Sequence, residues 1–280
     1  GDRKRDSPWT ATPPFFLGGA LRTTRDWGVQ TCALPIYRSP EALKRRHEPL
    51  MYREYVDSAE ARRRYWARGS VGWRALGSAQ PNDGHRAIAQ LEAQGLTSGL
   101  ITQNVDGLHQ KAGSRNLVEL HGSLSRVRCL NCGNTYPRAR MQRAIRELQE
   151  SFELTPDGDA IIPDESIEGF QVPPCPNCGG VLKADVVFFG ENVPRERVER
   201  ARDMVAAAQA LLVVGSSLAV LSGLRFVHAA VEDGKSVAIV NDGPTRADEL
   251  ATLKLEGRLG VLLPELASQL TGAAAPGGSS

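Results

Sequence analysis

The sequence predicts an α/β protein: a parallel sheet with helices on both faces, into which a small metal-built module is inserted. Two observations carry that expectation. Short apolar runs of strand length alternate with helical stretches, and such alternation implies a parallel sheet covered by helices. Two C-x-x-C pairs, Cys129/Cys132 and Cys175/Cys178, bracket a polar stretch unlike its surroundings. With right-handed crossovers the main domain becomes doubly wound and Rossmann-like.

Taken in order, residues 1–36 contain Pro8, Pro13, Pro14 and Pro35 and show no hydrophobic period, so an irregular segment is expected. Residues 41–68 predict helix, with Leu50, Tyr52, Tyr55, Val56, Tyr65 and Trp66 as apolar contacts. Arg62, Arg63 and Arg64 fall on the same stretch; a solvated helix face is the expectation and nucleic-acid binding the alternative. Residues 85–94 predict a short helix closed by Gly95, where a helix C-terminus favours glycine. Buried strands are expected at 100–101, 117–120, 184–189, 210–214 and 236–240, the last three separated by helices over 195–208 and 222–232. Between Arg128 and Gly180 a polar helix, 138–149, and a Pro/Asp/Gly-rich loop, 155–174, form the insertion. The Gly/Ala/Ser-rich end predicts a disordered tail. The expected division is therefore 1–36 irregular, 37–127 first part of the Rossmann-like domain, 128–182 zinc-binding module, 183–270 second part, and 271–280 tail.

Composition narrows the function. The 280 residues suffice for one large or two unequal domains, and 41% hydrophobic residues supply a core. A net charge of +2 gives no general attraction to nucleic acid or anionic lipid. Residues 205–218 are apolar but contain Gln209 and Gly215 and are too short to cross a bilayer. No apolar region follows the basic start, so no signal peptide is expected, and the two Asp before Pro8 argue against a transit peptide. The chain begins with Gly, which implies processing or a fragment. A cytoplasmic location is expected in preference to a mitochondrial one.

The five cysteines are the two C-x-x-C pairs and Cys32. Each pair precedes a glycine, in Cys129-Leu130-Asn131-Cys132-Gly133 and Cys175-Pro176-Asn177-Cys178-Gly179. A C-x-x-C turn puts two thiolates on one side of a tight loop, and two such loops complete a tetrahedral four-thiolate shell. A closed shell leaves no position for substrate, so one structural Zn2+ is expected. The alternatives are two redox motifs, unbound thiols, or a nucleic-acid-binding zinc ribbon; the last lacks basic and aromatic interleaving.

Polar residues gather at two strand ends. Thr102-Gln103-Asn104-Val105-Asp106-Gly107-Leu108-His109 follows Leu100-Ile101, and His121-Gly122 follows 117–120. Strand ends are where open α/β sheets bind ligands. Gly215-Ser216-Ser217 and Asn241-Asp242-Gly243 follow two further strands; small and hydroxyl residues there let a backbone approach phosphate or ribose. These motifs, with the cysteine pairs and Phe189-Gly190-Glu191, stand in the order found in the sirtuins, which they resemble over residues 37–270. Asp185-Val186-Val187-Phe188-Phe189-Gly190-Glu191 is most similar to the class II branch.

Sirtuins are NAD-dependent protein lysine deacylases, and the resemblance implies roles. Gln103, Asn104 and Asp106 would surround the nicotinamide and its ribose. Gly215, Ser216, Ser217, Asn241, Asp242 and Gly243 would contact the adenosine half of NAD, with Leu259 lining the adenine end. Arg38 would also serve the cofactor. His121 would be the general base, taking a proton through the ribose hydroxyls, a task suited to a group titrating near neutrality. Val187, Phe189, Gly190 and Glu191 would pair with an extended acyl-lysine peptide as an added strand; for Phe188 and Phe189 an ordinary core position is the alternative. His109 would order its loop, and His47, His85 and His228 receive no role.

The resemblance breaks upstream. Sirtuins open with a strand and a Gly-Ala-Gly-Ile-Ser type loop over the NAD phosphates. Leu17-Gly18-Gly19-Ala20-Leu21 is the nearest run, too far from Tyr37-Arg38, and Ile36 stands where an Asp is expected. Residues 1–36, with Trp27 and Cys32, are read as foreign or misread sequence, or else as a divergent terminus. Loss of the first strand and its phosphate turn would weaken NAD binding.

The leading expectation is an NAD-dependent protein-lysine deacylase giving nicotinamide, O-acyl-ADP-ribose and free lysine, with acetyl as default and an acylated protein or peptide as partner. Transfer of ADP-ribose to protein, removal of a longer or lipoyl chain, and a catalytically impaired NAD- or peptide-binding module are the alternatives. Neither nucleic acid nor a membrane is expected as partner.

Overall fold

A computed structural model describes residues 15–18, 50–145, 152 and 160–272. Six strands form one parallel sheet: β1 (Phe15–Gly18), β2 (Leu100–Thr102), β3 (Leu117–Glu119), β7 (Ala210–Val214), β8 (Ser236–Asn241) and β9 (Leu253–Glu256). Their order is β3-β2-β1-β7-β8-β9, and every neighbouring pair is parallel. The order reverses between β1 and β7, the point where open α/β sheets bind ligands. Three more strands, β4 (Gly122–Cys129), β5 (Thr135–Pro137) and β6 (Leu182–Val186), make an antiparallel sheet in the order β5-β4-β6.

Two expectations are corrected here. Phe15–Gly18 is not irregular: it forms the strand between β2 and β7, at the centre of the main sheet. Prolines on either side dominate the reading of that segment, yet a short unbroken apolar run suits a strand enclosed by neighbours. The first strand is therefore present, and its last residue, Gly18, sits at the switch point. Residues 184–189, expected in the parallel sheet, instead supply β6 of the small sheet, and Val187 onward leaves the strand. The small sheet runs from Gly122 to Val186 and crosses both expected boundaries, 127/128 and 182/183.

Strands β2, β7 and β8 are buried on both faces because they are apolar on both, whereas the edge strand β9, Leu-Lys-Leu-Glu, is largely exposed. Val213 and Ile239 pack on one side with Ile101 and Val118, against Phe226, Val227 and Ala230 of one helix and Ala201 and Val205 of another. Leu212, Val214 and Val240 face the other side, against Ile88 and Leu91 and against Leu259, Leu263 and Ala267. The helices are α1 (Tyr52–Asp57), α2 (Ala59–Ser78), α3 (Asp83–Ala93), α4 (Leu108–Ala112), α5 (Arg138–Ala144), α6 (Asp164–Ile167), α7 (Arg195–Ala207), α8 (Leu221–Glu232) and α9 (Leu259–Thr271). Helix α3 ends as expected at Gly95 (φ +69°), where Leu96 N–H closes onto Leu91 C=O at 2.9 Å. The helix expected at 41–68 is described from Tyr52 and is broken at Ser58. That expected at 138–149 is seen to Ala144; residues 146–149, like the tail 273–280 and Tyr37–Arg38, lie outside the described residues.

A third core joins α2 to the small sheet around Trp66, Val127, Met141 and Leu182. The Trp66 indole donates to Tyr55 Oη at 2.8 Å, and Tyr55 Oη donates to Leu182 C=O at 2.5 Å. Val56, expected among the apolar contacts, is instead 40% exposed. The arginine run lies on a partly exposed helix face and is engaged by contacts within the chain. Arg62 caps Tyr55 C=O, Arg63 reaches Glu168 C=O, and Arg64 pairs with Glu60.

Candidate active site and thiolate cluster

The site is assembled where β2, β3, β7 and β8 end. After Thr102 the chain leaves the sheet, and the turn is shaped by its own side chains. Thr102 Oγ1 accepts from Asn104 N–H at 3.1 Å, Asp106 Oδ1 accepts from Leu108 N–H at 2.9 Å, and Gly107 supplies φ +73°. Asp106 thus caps α4. Burial raises its carboxyl above the ordinary value, and the Leu108 N–H works against that rise. Leu124 N–H donates to Val105 C=O at 2.8 Å, which fixes the loop to β4.

His121 lies between the sheets. Its Nδ1 is 3.2 Å from Gln103 C=O and its Nε2 is 2.9 Å from Ser222 Oγ. Burial lowers its pKa, the Gln103 carbonyl opposes this and the Arg197 charge adds to it, so the surroundings favour the neutral imidazole. Gly122 has φ +83°, and a Cβ there would run into Asp185 C=O. Glycine is therefore required for β4 to start against β6 directly behind the imidazole. His121 C=O accepts from Val187 N–H at 2.9 Å, so the histidine and the 187–191 segment share one backbone contact.

In that segment the residues divide. Phe188 is buried against Tyr55 and Tyr65, while Phe189 is 43% exposed beside Met51. The carboxylate of Glu191 accepts from Phe188 N–H at 2.8 Å and from Lys183 Nζ at 3.0 Å, closing the turn at Gly190 (φ +77°). Lys183 is 4% exposed; burial lowers its pKa and Glu191 opposes the shift.

The β7 and β8 ends supply the remaining residues. Gly215 (φ +59°) donates its N–H to Val240 C=O at 2.9 Å. Ser216 Oγ accepts from Gln103 Nε2 at 3.2 Å and from Leu218 N–H at 3.2 Å, which joins the first and third loops. Ser217 C=O accepts from Arg246 N–H at 3.0 Å. Buried Asn241 donates to Gly243 C=O at 2.9 Å across the turn, with Asp242 exposed at its tip. Leu259 is 4% exposed and packs in the core with Leu212, Val214 and Val240, beneath these loops. Arg38 lies outside the described residues. Glycines and small polar groups at the switch point, an open amide ribbon and a carboxylate suit a dinucleotide.

Three features carry no mark in the sequence. Ser222 reaches His121 across 101 residues. Glu119, Arg126, Asp185 and Arg197 form an unbroken ion chain behind the imidazole, with contacts of 2.7, 3.1 and 2.7 Å. Buried His85 and His109 pack against each other with ring centroids 4.6 Å apart and planes tilted by 54°. No local spacing signals any of these, because each is made by tertiary contact.

The four cysteines come together as expected, with all four Sγ within 4.8 Å of one another. Cys129 and Cys178 Sγ are 3.5 Å apart, and Cys132 and Cys175 Sγ 3.8 Å. These separations are far beyond a disulfide bond. Tetrahedral zinc with bonds of about 2.3 Å needs sulfurs about 3.8 Å apart, so the cluster fits that ion. Asn131 and Cys132 N–H groups point at Cys129 Sγ (3.4 and 3.5 Å), and Asn131 Oδ1 accepts Val181 N–H at 3.1 Å, tying the first knuckle to the second.

Comparison with known proteins gives a consistent result. The model of the Sir2 family matches residues 28–222, so the likeness begins upstream of Tyr37. The chain is 51% identical over 249 residues to NAD-dependent protein deacetylase 1 of Streptomyces coelicolor, covering 87% of this chain and 83% of that protein. It is 47% identical over 246 residues to the human NAD-dependent protein lipoamidase sirtuin-4, mitochondrial (85% and 78% covered). Among solved structures it resembles a Sir2–p53 peptide–NAD+ complex with TM-score 0.70 at 26% identity, over 93% of each chain. A structure of Sir2 bound to acetylated peptide gives TM-score 0.64 at 28% identity, over 80% of this chain and 83% of that one.

Proposed function

The chain belongs to the Sir2 family, and from that premise we propose that it is an NAD-dependent protein deacylase, transferring the acyl group of a modified lysine to ADP-ribose with release of nicotinamide. The observation that carries this is His121, held at both nitrogens at the switch point beside Gln103, Asn104 and Asp106. A neutral imidazole can take a proton; an imidazolium cannot. His121 accepts the proton delivered through the ribose hydroxyls. Asp106 and the Gln103 and Asn104 amides hold the nicotinamide riboside. The loops at 215–217 and 241–243 take the adenosine. Exposed Phe189 and the Val187–Glu191 backbone receive the peptide as an added strand, and Glu191 acts by shaping that turn. The bound nucleotide supplies the electrophilic ribose carbon.

Cys129, Cys132, Cys175 and Cys178 would hold one Zn2+ as a structural ion, since four sulfur ligands would leave no place for substrate. Cysteines arranged as ligands support a reducing compartment, read here as the cytoplasm. Among the described residues no helix is long and apolar enough to cross a membrane. Acetyl-lysine is the first substrate to test. A lipoyl or longer acyl chain is the second, favoured by the 47% identity to the human lipoamidase.

The test is nicotinamide release from NAD with an acetyl-lysine peptide, for the wild type and His121→Ala. Peptide-dependent release that falls about a hundredfold or more in the variant is expected for loss of a general base. Equal release by the two proteins would overturn the assignment of His121. Release only with a lipoyl peptide would select the second substrate class.

A further inference from the structure

We propose that Ser222 is a positioning residue for the His121 base: its hydroxyl fixes which imidazole nitrogen is basic and keeps that nitrogen bonded before and after it takes a proton. The inference rests on His121 being the base.

The two partners of the ring decide the tautomer. Gln103 C=O, 3.2 Å from Nδ1, can only accept, so Nδ1 carries the hydrogen. Nε2 is then the lone-pair nitrogen, and at 2.9 Å it accepts the Ser222 hydroxyl hydrogen. A hydroxyl both donates and accepts. When Nε2 gains a proton, rotation about Cβ–Oγ turns Ser222 from donor to acceptor, and the imidazolium keeps its partner. Among residues of this size only threonine does both equally well without charge, and cysteine does so weakly.

The fold brings Ser222 to this position. It is the second residue of α8 and 8% exposed. The approach of that helix depends on its next residue, because a Cβ on Gly223 would lie 2.8 Å from Gln103 Nε2. Leu218, the only non-glycine with positive φ (+52°) among the described residues, turns the chain from β7 into α8 and is held there by Ser216 Oγ. The Ser222-Gly223 step therefore rests on His121 and on the same Gln103 whose carbonyl holds the other nitrogen. The charged groups on the opposite side are Arg197, paired with Asp185, and Arg126, paired with Asp185 and Glu119. The two arginines cannot accept from Nε2–H and the two carboxylates are engaged by them, whereas Ser222 can accept.

The test compares wild type, Ser222→Ala, Ser222→Thr and His121→Ala, using peptide-dependent nicotinamide release against pH and long-range 1H–15N spectra of His121. Ser222→Ala is expected to lower kcat about tenfold or more while KM for the peptide stays within about twofold. Its acid limb should move to lower pH, since a hydrogen bond lost to the charged ring matters more than one lost to the neutral ring. The wild-type spectrum should show the Nδ1–H tautomer, the Ala spectrum a mixture, and Thr should restore both rate and tautomer. If the Ala variant is unstable, Ser222→Cys keeps the volume, weakens the hydrogen bond and is read in the same way. A folded Ala variant with wild-type kcat, pH profile and tautomer overturns the proposal. His121→Ala separates the two assignments: if it is as active as wild type, the base assignment fails, and if it is inactive beside a wild-type-like Ser222→Ala, only the present inference fails.

Discussion

In the thiolate cluster each pair of ligands is three residues apart, and the two knuckles meet because β4 and β6 pair. In the strand-end site 113 residues separate Gln103 from the Ser216 it touches, and 101 separate His121 from Ser222. The first is local chemistry repeated twice. The second exists only when a six-stranded sheet has closed in the right order. The small module should therefore depend on its ion, and the site on the integrity of the large sheet and of the junction between the two.

Removing the metal tests the first half of that contrast and should have the largest effect. Structural zinc contributes about 10–16 kcal/mol in small zinc-folded peptides. Cys175→Ser, or strong chelation, should abolish hydrogen-exchange protection across β4, β5 and β6 while β7 and β8 stay protected. Activity should fall with it, because the His121–Val187 backbone bond joins the module to the site. Simultaneous loss of protection in β7 and β8 would mean that the two regions are one cooperative unit.

The junction itself is Gly122. Ala there adds a Cβ that collides with Asp185 C=O and forces a side chain into a positive-φ conformation. The expected loss is about 3 kcal/mol or more, seen as a lower denaturation midpoint, with nicotinamide release reduced more steeply than stability. A Gly122→Ala protein of normal stability would show that β4 and β6 can separate without harm.

How much is legible in the sequence follows the same divide. The knuckles are readable because C-x-x-C-Gly is a local pattern whose geometry its spacing dictates. Gln103, Asn104, Asp106 and His121 are readable as polar residues following apolar strands, aided by a family resemblance. β1 escapes such a reading because Pro13 and Pro14 stand directly before Phe15, and a four-residue strand offers no period to weigh against them. Residues 184–189 read as part of the wrong sheet because an apolar run states that a strand is buried, not which partner buries it. Ser222, Lys183 and the Glu119–Arg126–Asp185–Arg197 chain carry no signal in sequence, since their partners come from other elements.

Leu259 sharpens the boundary between site and core. The family resemblance assigns it to the adenine end, while its side chain is 4% exposed and packs among Leu212, Val214 and Val240. Core packing and cofactor contact predict different losses. Leu259→Ala should destabilise the fold by about 2–4 kcal/mol through cavity formation, with KM for NAD little changed. A clearly raised KM at unchanged stability would give the residue to the cofactor site.

The last comparison sets two kinds of histidine side by side. Among the described residues, His121 has partners at both nitrogens, whereas His109 has none and His85 bonds through Nδ1 alone, to Asn82. Burial lowers His85 to about 4 and His109 to about 3, with neighbouring Arg86 adding to the first and His85 to the second. A histidine depressed in the fold binds fewer protons folded than unfolded below its ordinary value near 6.5. The stability it contributes is therefore complete above that value and is lost as pH falls toward and through about 4 and about 3. Within that window each histidine changes stability by up to about 1.4 kcal/mol per pH unit. Denaturant unfolding at about pH 7, 6 and 5 should show the decline, and His109→Gln should make it shallower. Because the pair joins α3 to α4, directly after Asp106, the same acid range should loosen the amide ribbon. An unchanged slope in His109→Gln would assign the decline to carboxylates and leave the tilted ring pair as packing alone.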